Sequence, residues 1–298
     1  MVHLAPPAVL GSTAVETARR WALPTVAVFQ TELAGFSRRY GLSVTDPVWR
    51  FLRRTHAAVD RTPVPSSVTL ETPATRRSPR PVLWRRGVDT GRFHPRYRDE
   101  GLRRRLAPNG ETIIGFVGRP AKDKRVGPLT HVARLRGIRV VVVGDGPERD
   151  RLRKRSPTAS FTGQVVGEEL SRLYASLDEF AHTGADETFC QAVQEALSSG
   201  VPAVAPAAGG PLDPLTDEHN GLLYAPECVR ELRVAVGRLA HNRAVRARMA
   251  ANARPSVEQR TWETIGEQLI EHYRAVIAPG RELAAHASAP RESTTFRP

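Results

Sequence analysis

Cysteine, lysine and long apolar runs are all scarce in this chain of 298 residues. Its two cysteines, Cys190 and Cys228, cannot form a disulfide framework, and their spacing matches no metal-binding motif. No apolar run approaches the roughly 20 residues that a membrane-spanning helix needs. The first residues lack the basic and apolar regions of a secretion signal. We therefore expect a cytoplasmic protein.

Acidic residues are outnumbered by basic ones, 31 to 44, which gives a formal net charge of +13. A field of that size attracts polyanions such as nucleic acid, anionic lipid or phosphorylated substrates. Lysine occurs only at positions 122, 124 and 154, so the excess is scattered arginine, which is typical of a solvated surface. No basic segment interleaved with aromatic residues indicates a nucleic-acid partner. The arginines of 93–110 are predicted to lie on a solvated helix face, with an anionic membrane contact as the alternative.

Short β-branched runs alternate with longer amphipathic stretches along most of the chain. The predicted strands lie at 25–30, 61–66, 80–89, 112–119, 139–146, 160–165, 179–184, 201–206 and 221–226. After residue 110 the alternation is regular, and the strands are mostly continuous apolar runs. A helix is predicted at 126–136. This pattern is typical of a parallel sheet covered by helices on both faces. We predict an α/β fold, and the length allows one large or two ordinary domains.

Ligands of such sheets bind in the loops that leave the carboxyl ends of the strands. In the first of these loops, GRPAKDK (118–124), Gly118 and Arg119 end a strand and Lys124 follows five residues after the arginine. A guanidinium and an ammonium group beside a helix N-terminus suit a pyrophosphate. Two solvated loop cations are the alternative, and the phosphate-loop pattern GxxxxGK[ST] is absent.

The second loop, GDG at 144–146, matches part of a dinucleotide-binding fingerprint. Gly144 and Gly146 supply its first two glycines, but Arg149 stands where the third belongs. A partial match of this kind argues against a nicotinamide cofactor. It indicates a tight turn around Asp145 whose backbone approaches a ligand, or else a plain connection between a strand and a helix.

The third loop leads into ETFCQAVQEALSS (187–199), which predicts a helix with Glu187 at its first position and Glu195 at its ninth. Eight helical steps separate the two α-carbons by about 12 Å on nearly the same face. That exceeds the carboxylate spacing of glycosidases, about 5 to 9.5 Å, and suits holding two ends of one extended ligand. The alternative is a first-turn acid favoured by the helix dipole and an ordinary exposed glutamate.

Four neighbouring residues have interpretations of their own. His182 ends a strand and is predicted to be a hydrogen-bonded core histidine, while Asp186 is a candidate helix cap. Cys190 is predicted to pack rather than react, since no partner base is evident. Glu179 interrupts an otherwise apolar strand, and the sequence offers no physical reason for it.

Five motifs in one order are more specific together than any of them alone. They are GVDTGRFHP (87–95), GRPAKDK (118–124), GDGPE (144–148), ETFCQAVQEALSSGVPAVAPAAGG (187–210) and GLLYAP (221–226). Over roughly residues 2 to 277 the chain resembles the retaining GT-B glycosyltransferases of family 4. Within them it is most similar to the actinobacterial GDP-mannose-dependent α-mannosyltransferases that build glycolipids, and next to the sulfoquinovosyl transferases.

The resemblance implies two Rossmann-like domains, of which the N-terminal, acceptor-side one is incomplete, because its opening strand and glycine loop have no counterpart here. The implied divisions are a partial N-terminal domain (1–90), a connection (91–110), a nucleotide-sugar-binding domain (111–260), a returning helix (261–278) and a tail (279–298). The polar composition of the tail predicts disorder. In the returning helix, one apolar face predicts core packing for Trp262, Ile265, Leu269 and Tyr273.

The resemblance also assigns roles to matching residues. Arg119 and Lys124 would hold the donor pyrophosphate and neutralise the charge that builds on the leaving group. Glu187 would hydrogen-bond the donor sugar, and Glu195 the ribose hydroxyls. Further implied donor contacts are Gly118, Gly144, Asp145, Gly146, Thr188, Phe189 and Cys190. Gln30, a weaker candidate, stands where many relatives carry a histidine, and it can hydrogen-bond but cannot act as an imidazole base.

The activity implied is transfer of a hexose, with mannose from GDP-mannose expected, to a glycolipid or lipid-linked acceptor with retention of configuration. The implied partners are a nucleotide sugar, a lipid acceptor and the anionic inner face of the membrane. No cofactor and no metal ion are expected, since Arg119 and Lys124 would do the work of a cation. Two alternatives are a UDP-sugar-dependent transferase and a truncated, inactive remnant that at most binds nucleotide sugar.

Overall fold

The computed structural model describes residues 1–5, 9–30, 45–71 and 81–287. Its N-terminal region contains strands β1 (Val2–Leu4), β2 (Thr25–Ala27), β3 (Thr62–Val64) and β4 (Pro81–Leu83), and helices α1 (Val9–Arg20), α2 (Thr45–Ala57) and α3 (Ser67–Leu70). β1 pairs with β2 and β3 with β4, both in parallel. A bridge between Val26 and Arg61 joins the two pairs.

The C-terminal region is built on a six-stranded parallel sheet in the order β10-β9-β8-β5-β6-β7. Its strands are β5 (Thr112–Val117), β6 (Ile138–Val143), β7 (Ser160–Gly163), β8 (Glu179–Ala181), β9 (Ala203–Pro206) and β10 (Gly221–Tyr224). Its helices are α4 (Glu100–Leu106), α5 (Leu129–Val132), α6 (Arg149–Arg155), α7 (Gly167–Ala175), α8 (Gln191–Ser198), α9 (Val229–His241), α10 (Arg243–Ala253) and α11 (Trp262–Ala287). The order reverses between β5 and β8, which creates a crevice at the carboxyl ends of these two strands.

Each strand predicted after residue 110 is present, because its apolar run is covered on both sides. In β6, every residue except Arg139 is buried. One core includes residues of α7, α8 and the connection, and the other includes residues of α5 and α9, so the two lie on opposite sides of the sheet. The helix predicted at 126–136 is shorter, since Gly127 and Pro128 occupy its first predicted turn and α5 begins only after them.

Helix α4 lies within the connection and does not present all its arginines to solvent. Arg103 pairs with Asp178 at 3.0 Å, while Arg104 and Arg105 are exposed. The prediction of a solvated arginine face is therefore wrong for Arg103. Through this ion pair, Arg103 binds the connection to the loop before β8.

Helix α11 returns to the N-terminal region. Ile265 packs with Val28 and Trp84, and the indole Nε1 of Trp84 donates to the carbonyl of Ile265 at 2.9 Å. Tyr273 lies further along and contacts His3 through its hydroxyl at 2.8 Å. Trp262, in contrast, is 46% exposed, so the prediction of core packing is wrong for this residue.

Two sequence predictions fall partly outside the described residues. The helix α11 extends to Ala287 and so enters the segment 279–298, for which the composition predicts disorder. Residues 288–298 of that segment lie outside the described part of the chain. The sequence after residue 30 also predicts helical structure, through Ala57. Helix α2 accounts for the second part of this stretch, and residues 31–44 lie outside the described part of the chain.

A buried carboxylate connects the two regions. Oδ1 of Asp213 accepts hydrogen bonds from the amide and the hydroxyl of Ser67, both at 3.1 Å. Its Oδ2 lies 2.6 Å from Nε of Arg85 and 3.5 Å from Nη1 of Arg260. These partners come from the start of α3, from the segment after β4 and from the segment before α11, so one side chain joins three parts of the chain.

Glu179, which the sequence left unexplained, lies fully buried in β8. Neither of its carboxyl oxygens has a hydrogen-bond partner among the described residues. Burial raises the pKa of Glu179 well above its ordinary value, with Arg246 opposing the shift and Asp178 adding to it. The carboxyl group is therefore protonated where the same group in an unfolded chain is ionised.

We predict that Glu179 makes the fold less stable as the pH rises. Above the ordinary glutamate pKa the unfolded chain loses a proton that the folded chain keeps, so the free energy of unfolding falls with pH up to the raised pKa. Glu179→Met removes the unpaired polar atoms at similar volume and should stabilise the protein by about 1–3 kcal/mol at pH 7. Urea unfolding at pH 5 and pH 8 measures both effects.

The matched control is Glu169→Met, because Glu169 is exposed on α7. It should leave both the stability and its pH dependence close to those of the unchanged protein. A Glu179→Met protein with the original slope of stability against pH would contradict the assignment.

Candidate active site

The crevice between β5 and β8 brings two predicted site residues together. Lys124 lies in a 3₁₀ turn (Lys122–Lys124) after β5, and its Nζ donates to Oε1 of Glu187, which follows β8. Thr183 Oγ1 donates to the carbonyl of Lys124 at 2.8 Å and ties this turn to the end of β8. Burial disfavours the ammonium charge, but the carboxylate of Glu187 outweighs burial and raises the pKa of Lys124. Without a ligand, the two charges therefore neutralise each other.

The helix that carries Glu195 begins later than predicted. Helix α8 starts at Gln191, so Glu187 precedes it, and the prediction that both glutamates lie on one helix face is wrong. The amide of Gly210 donates to the carbonyl of Glu187 at 2.6 Å, and a Cβ on Gly210 would come within 2.5 Å of the Cα of Phe189. The loop that contains Gly210 therefore occupies the carbonyl of Glu187, a backbone group that the first turn of a helix beginning at this residue would use.

Glu195 lies on α8 beside the crevice. Its Oε2 accepts a hydrogen bond from the hydroxyl of Tyr174 at 2.9 Å. Burial raises the pKa of Glu195 to about 7, although Tyr174, Arg92 and Gln191 favour the ionised form. The carboxyl group can therefore accept or donate hydrogen bonds near neutral pH.

A cleft of about 630 Å³ joins the two glutamates. Of the residues predicted for the site, those that line it are Gln30, Glu187, Thr188, Phe189 and Glu195. The cleft is also lined by residues that were not predicted for the site, namely Arg86, Asp89, Arg92, Phe93, Leu170, Gln191 and Trp262. The cleft thus lies between the two regions, since it has walls from both.

Sequence reasoning missed the two arginines of the cleft. Both lie in or beside GVDTGRFHP (87–95), a motif that carried the family resemblance but was not examined for charge. Arg92 lies over the ring of Phe93 at 5.3 Å and donates to the carbonyl of Gly167 at 3.3 Å. Arg86 lies 5.8 Å from the ring centre of Trp84, and burial lowers its pKa. The sequence signal that could have indicated these two arginines is a cationic residue close to an aromatic one, in or beside this motif.

The predicted glycines after β5 and β6 contact each other. The amide of Gly118 donates to the carbonyl of Val143 at 2.9 Å, and a Cβ on Gly144 would overlap the carbonyl of Gly118. A Cβ on Gly146 would come within 2.6 Å of the carbonyl of Pro120. The close approach of the two loops is therefore sufficient to require glycine at 144 and 146, without any ligand.

Arg119 and Asp145, two predicted site residues of these loops, are accessible. Arg119 is about half exposed and lies 3.2 Å from Asp123. Asp145 accepts from the amide of Gly146 at 2.9 Å and lies 3.7 Å from Arg149. Neither side chain lines the cleft, so an anion at its edge, rather than its interior, would meet Arg119.

Thr188 connects the cleft to the N-terminal region. Its hydroxyl donates to the carbonyl of Gln30 at 2.7 Å, and its own carbonyl accepts from the hydroxyls of Ser66 at 2.6 Å and Thr69 at 3.1 Å. Cys190, two residues on, lies in the core, and burial raises the pKa of its thiol. A packing role suits this cysteine better than contact with a ligand.

A metal site and a membrane-spanning helix are both absent from residues 1–5, 9–30, 45–71 and 81–287. No three or more His, Cys, Asp and Glu side chains of this part of the chain are grouped as a metal site would require. No helix formed by these residues is both long and apolar enough to cross a bilayer. That the reaction needs no metal or cofactor stays a prediction.

Comparison with known proteins decides the family. The profile of the family described as glycosyl transferases group 1 matches residues 98–256. The chain belongs to this family. A GDP-mannose-dependent alpha-mannosyltransferase of Mycobacterium tuberculosis is 48% identical over 93% of this chain and 73% of its own length. Its namesake from Mycolicibacterium smegmatis is 45% identical over 93% of this chain and 74% of its own length.

Solved structures with low sequence identity share the fold. Sucrose-phosphate synthase from Thermosynechococcus elongatus superimposes with a TM-score of 0.80 at 20% identity, over 93% of this chain and 73% of that one. Anabaena HepE in complex with UDP gives 0.76 at 20% identity, over 92% and 78%. Likenesses at this identity show the fold alone. The predicted family and GT-B fold are confirmed, and the chain is a glycosyltransferase.

We predict that Tyr174→Phe raises the pKa of Glu195 further above about 7, because the hydroxyl stabilises the ionised carboxylate. The measurement is the pH dependence of the side-chain carboxyl carbon shift of Glu195 in isotope-labelled protein. Tyr97→Phe is the control, since its hydroxyl accepts from Arg96 elsewhere in the chain. An unchanged titration in Tyr174→Phe would show that this hydrogen bond does not tune Glu195.

Proposed function

We propose that this glycosyltransferase moves mannose from GDP-mannose to a glycolipid or lipid-linked acceptor with retention of configuration. The observation that carries the proposal is the Lys124–Glu187 ion pair at the β5–β8 crevice, which opens into a cleft shared with Glu195. A ligand that brings its own anion to Lys124 and its own hydroxyls to both glutamates fits this arrangement. A nucleotide sugar has these groups, with its diphosphate between the hydroxyls of the sugar and those of the ribose.

The donor lies with its diphosphate beside Lys124 and Arg119. Arg119 is accessible at the edge of the site, and Lys124 has only to exchange one anion, Glu187, for another. The hydroxyls of the sugar then face Glu187, and those of the ribose face Glu195. The raised pKa of Glu195, about 7, leaves it able to act as donor or acceptor toward a diol near neutral pH.

The reaction forms a bond between the acceptor oxygen and the anomeric carbon and breaks the bond from that carbon to the diphosphate. The proton of the acceptor hydroxyl passes to the departing phosphate oxygen on the same face, which retains the configuration. Arg119 and Lys124 stabilise the negative charge of the leaving group, and such electrostatic stabilisation is usually the largest catalytic contribution. Gln30 lines the cleft as a hydrogen-bonding residue and transfers no proton.

The choice of GDP-mannose rests on the relatives. Proteins from three actinobacteria that are 42–48% identical to this chain bear the name GDP-mannose-dependent alpha-mannosyltransferase. Each of these matches extends over 93% of this chain. A UDP-sugar donor is the second candidate to be tested.

The lipid acceptor is supported by the surface of α1. Leu10 on this helix is 86% exposed, Arg19 and Arg20 lie in its last turn, and Trp21, which directly follows the helix, is 74% exposed. Exposed large apolar side chains beside basic ones suit the boundary between anionic head groups and acyl chains. The net charge of +13 adds attraction to an anionic membrane surface.

We predict that the chain binds GDP and GDP-mannose selectively and that Lys124→Ala weakens this binding. Loss of a charged hydrogen bond to the diphosphate costs about 1.5–3 kcal/mol, or roughly 10- to 100-fold in the dissociation constant. Calorimetric titration with GDP, UDP, GDP-mannose and UDP-glucose measures it. Lys154→Ala is the matched control, because Lys154 is an exposed lysine on α6.

Each outcome of that titration has a consequence. Selective binding of GDP that Lys124→Ala weakens and Lys154→Ala preserves would support the proposal, and the anomeric proton of the product would then report the configuration. Selective binding of UDP would replace GDP-mannose by a UDP-sugar. No binding of any nucleotide by the folded protein would leave an inactive remnant and end the proposal.

We also predict that Trp21→Ser weakens binding to vesicles containing phosphatidylglycerol by about tenfold, since burying a large apolar side chain stabilises by about 1.5–3 kcal/mol. Sedimentation with vesicles at low and physiological salt measures the effect. Val234→Ser is the control, because Val234 is also exposed but lies on α9 of the C-terminal region. Equal loss in both variants would argue against α1 as the membrane contact.

A further inference from the structure

His182 is a buried group that the proposed reaction does not yet use. It follows β8, and its side chain is 4% exposed. Neither ring nitrogen has a hydrogen-bond partner among the described residues, so the prediction of a hydrogen-bonded core histidine is wrong. A buried polar group without a partner costs about 1–3 kcal/mol. Such a group in a folded protein calls for a physical explanation.

The carboxylate of Glu187 is the charged group that faces the ring of His182. Nε2 of His182 lies 3.7 Å from Oε1 of Glu187, which is beyond hydrogen-bonding distance. Gly184 borders the gap between them, since a Cβ there would lie 3.1 Å from Nε2 and 3.3 Å from Oε1. Glycine at this position therefore leaves the two side chains free to approach each other.

The imidazole is neutral in this setting. Burial lowers the pKa of His182, with Lys124 acting in the same direction and with Glu187 and the backbone of Gly184 opposing, although no group among the described residues meets hydrogen-bond geometry at either ring nitrogen. A neutral ring carries one N–H donor. The amide of His182 donates to the carbonyl of Val204 at 2.8 Å, and its carbonyl accepts from the hydroxyl of Tyr224 at 3.3 Å. The backbone is thus held in place while the ring remains unpaired.

In the ligand-free protein, Lys124 occupies Oε1 of Glu187. Under the proposed function, the donor diphosphate becomes the partner of Lys124, and the carboxylate of Glu187 loses its hydrogen bond. The sugar hydroxyls then donate to this carboxylate, and its remaining acceptor positions are partly buried and favour a further donor. His182 is the adjacent side chain whose donor is unused.

We propose that His182 is a positioning residue for Glu187: when Lys124 turns to the donor diphosphate, the Nε2–H of His182 donates to the Glu187 carboxylate and holds it toward the donor sugar. This inference rests on the proposed function. It differs from a packing role in one measurable respect. A packing residue affects nucleotide and nucleotide sugar alike, whereas a residue that positions Glu187 affects only the contribution of the sugar.

The test compares His182→Gln with His182→Asn. The amide nitrogen of glutamine reaches the place of Nε2, while that of asparagine is closer to the place of Nδ1. Titration with GDP and with GDP-mannose should give unchanged affinity for GDP in both variants. His182→Asn should bind GDP-mannose about tenfold more weakly, as expected for a lost hydrogen bond to a charged group, and His182→Gln should restore most of this loss. His241→Asn, at an exposed histidine of α9, is the control.

A second measurement needs no donor. In Lys124→Ala the carboxylate of Glu187 is already without its lysine, so His182 should pair with it in the ligand-free protein. The ring nitrogen shifts of His182 should then report a hydrogen-bonded Nε2–H in Lys124→Ala and a free ring nitrogen in the unchanged chain. A ring that carries its proton on Nδ1 in both proteins would overturn the proposal.

The remaining outcomes are also decisive. Equal losses for GDP and GDP-mannose in both His182 variants would show a role in folding alone and overturn the inference. Unchanged affinities in both variants would do the same. If the unchanged chain binds neither GDP nor GDP-mannose, the proposed function fails and this inference fails with it. If the unchanged chain binds GDP-mannose selectively and the His182 variants bind it equally well, only the inference fails.

Discussion

The buried carboxylate of Asp213 is the interaction on which the arrangement of the two regions depends. Its side chain is 1% exposed, and a buried charge is tolerated only where opposite charge and hydrogen-bond donors surround it. Those partners, Ser67, Arg85 and Arg260, belong to the N-terminal region, the segment after β4 and the segment before α11. A displacement of the regions would take Ser67 and Arg85 away from Asp213, so the carboxylate favours a single relative position.

The cleft depends on this relative position of the two regions, because it has walls from both. Gln30 reaches it from the N-terminal region, while Glu187 and Glu195 face it from the C-terminal region. The hydrogen bond from the Thr188 hydroxyl to the Gln30 carbonyl also joins the two regions beside the cleft. Polar contacts between regions, rather than a continuous apolar core, therefore shape the site, and such contacts can rearrange when a ligand enters.

Charges at the site are paired with one another in the absence of a ligand. Lys124 is bound to Glu187 and Arg119 to Asp123. Binding an anionic donor is then an exchange of partners rather than the addition of a new charge, which lowers the electrostatic cost of the empty site. The same exchange frees Glu187, and the unpaired ring of His182 stands beside the carboxylate that is freed.

Sequence alone determined the parallel α/β sheet and the GT-B family, and it predicted Lys124 and Glu187 as site residues. Continuous apolar strands such as β6 need cover on both faces, and ordered motifs such as GRPAKDK and ETFCQAVQE identify a family without coordinates. Only the tertiary structure decided that Glu187 precedes its helix, that Arg86 and Arg92 enter the cleft, and that His182 has no partner. These features depend on groups distant in sequence, such as Gly210 packed on Phe189, and local periodicity carries no information about such contacts.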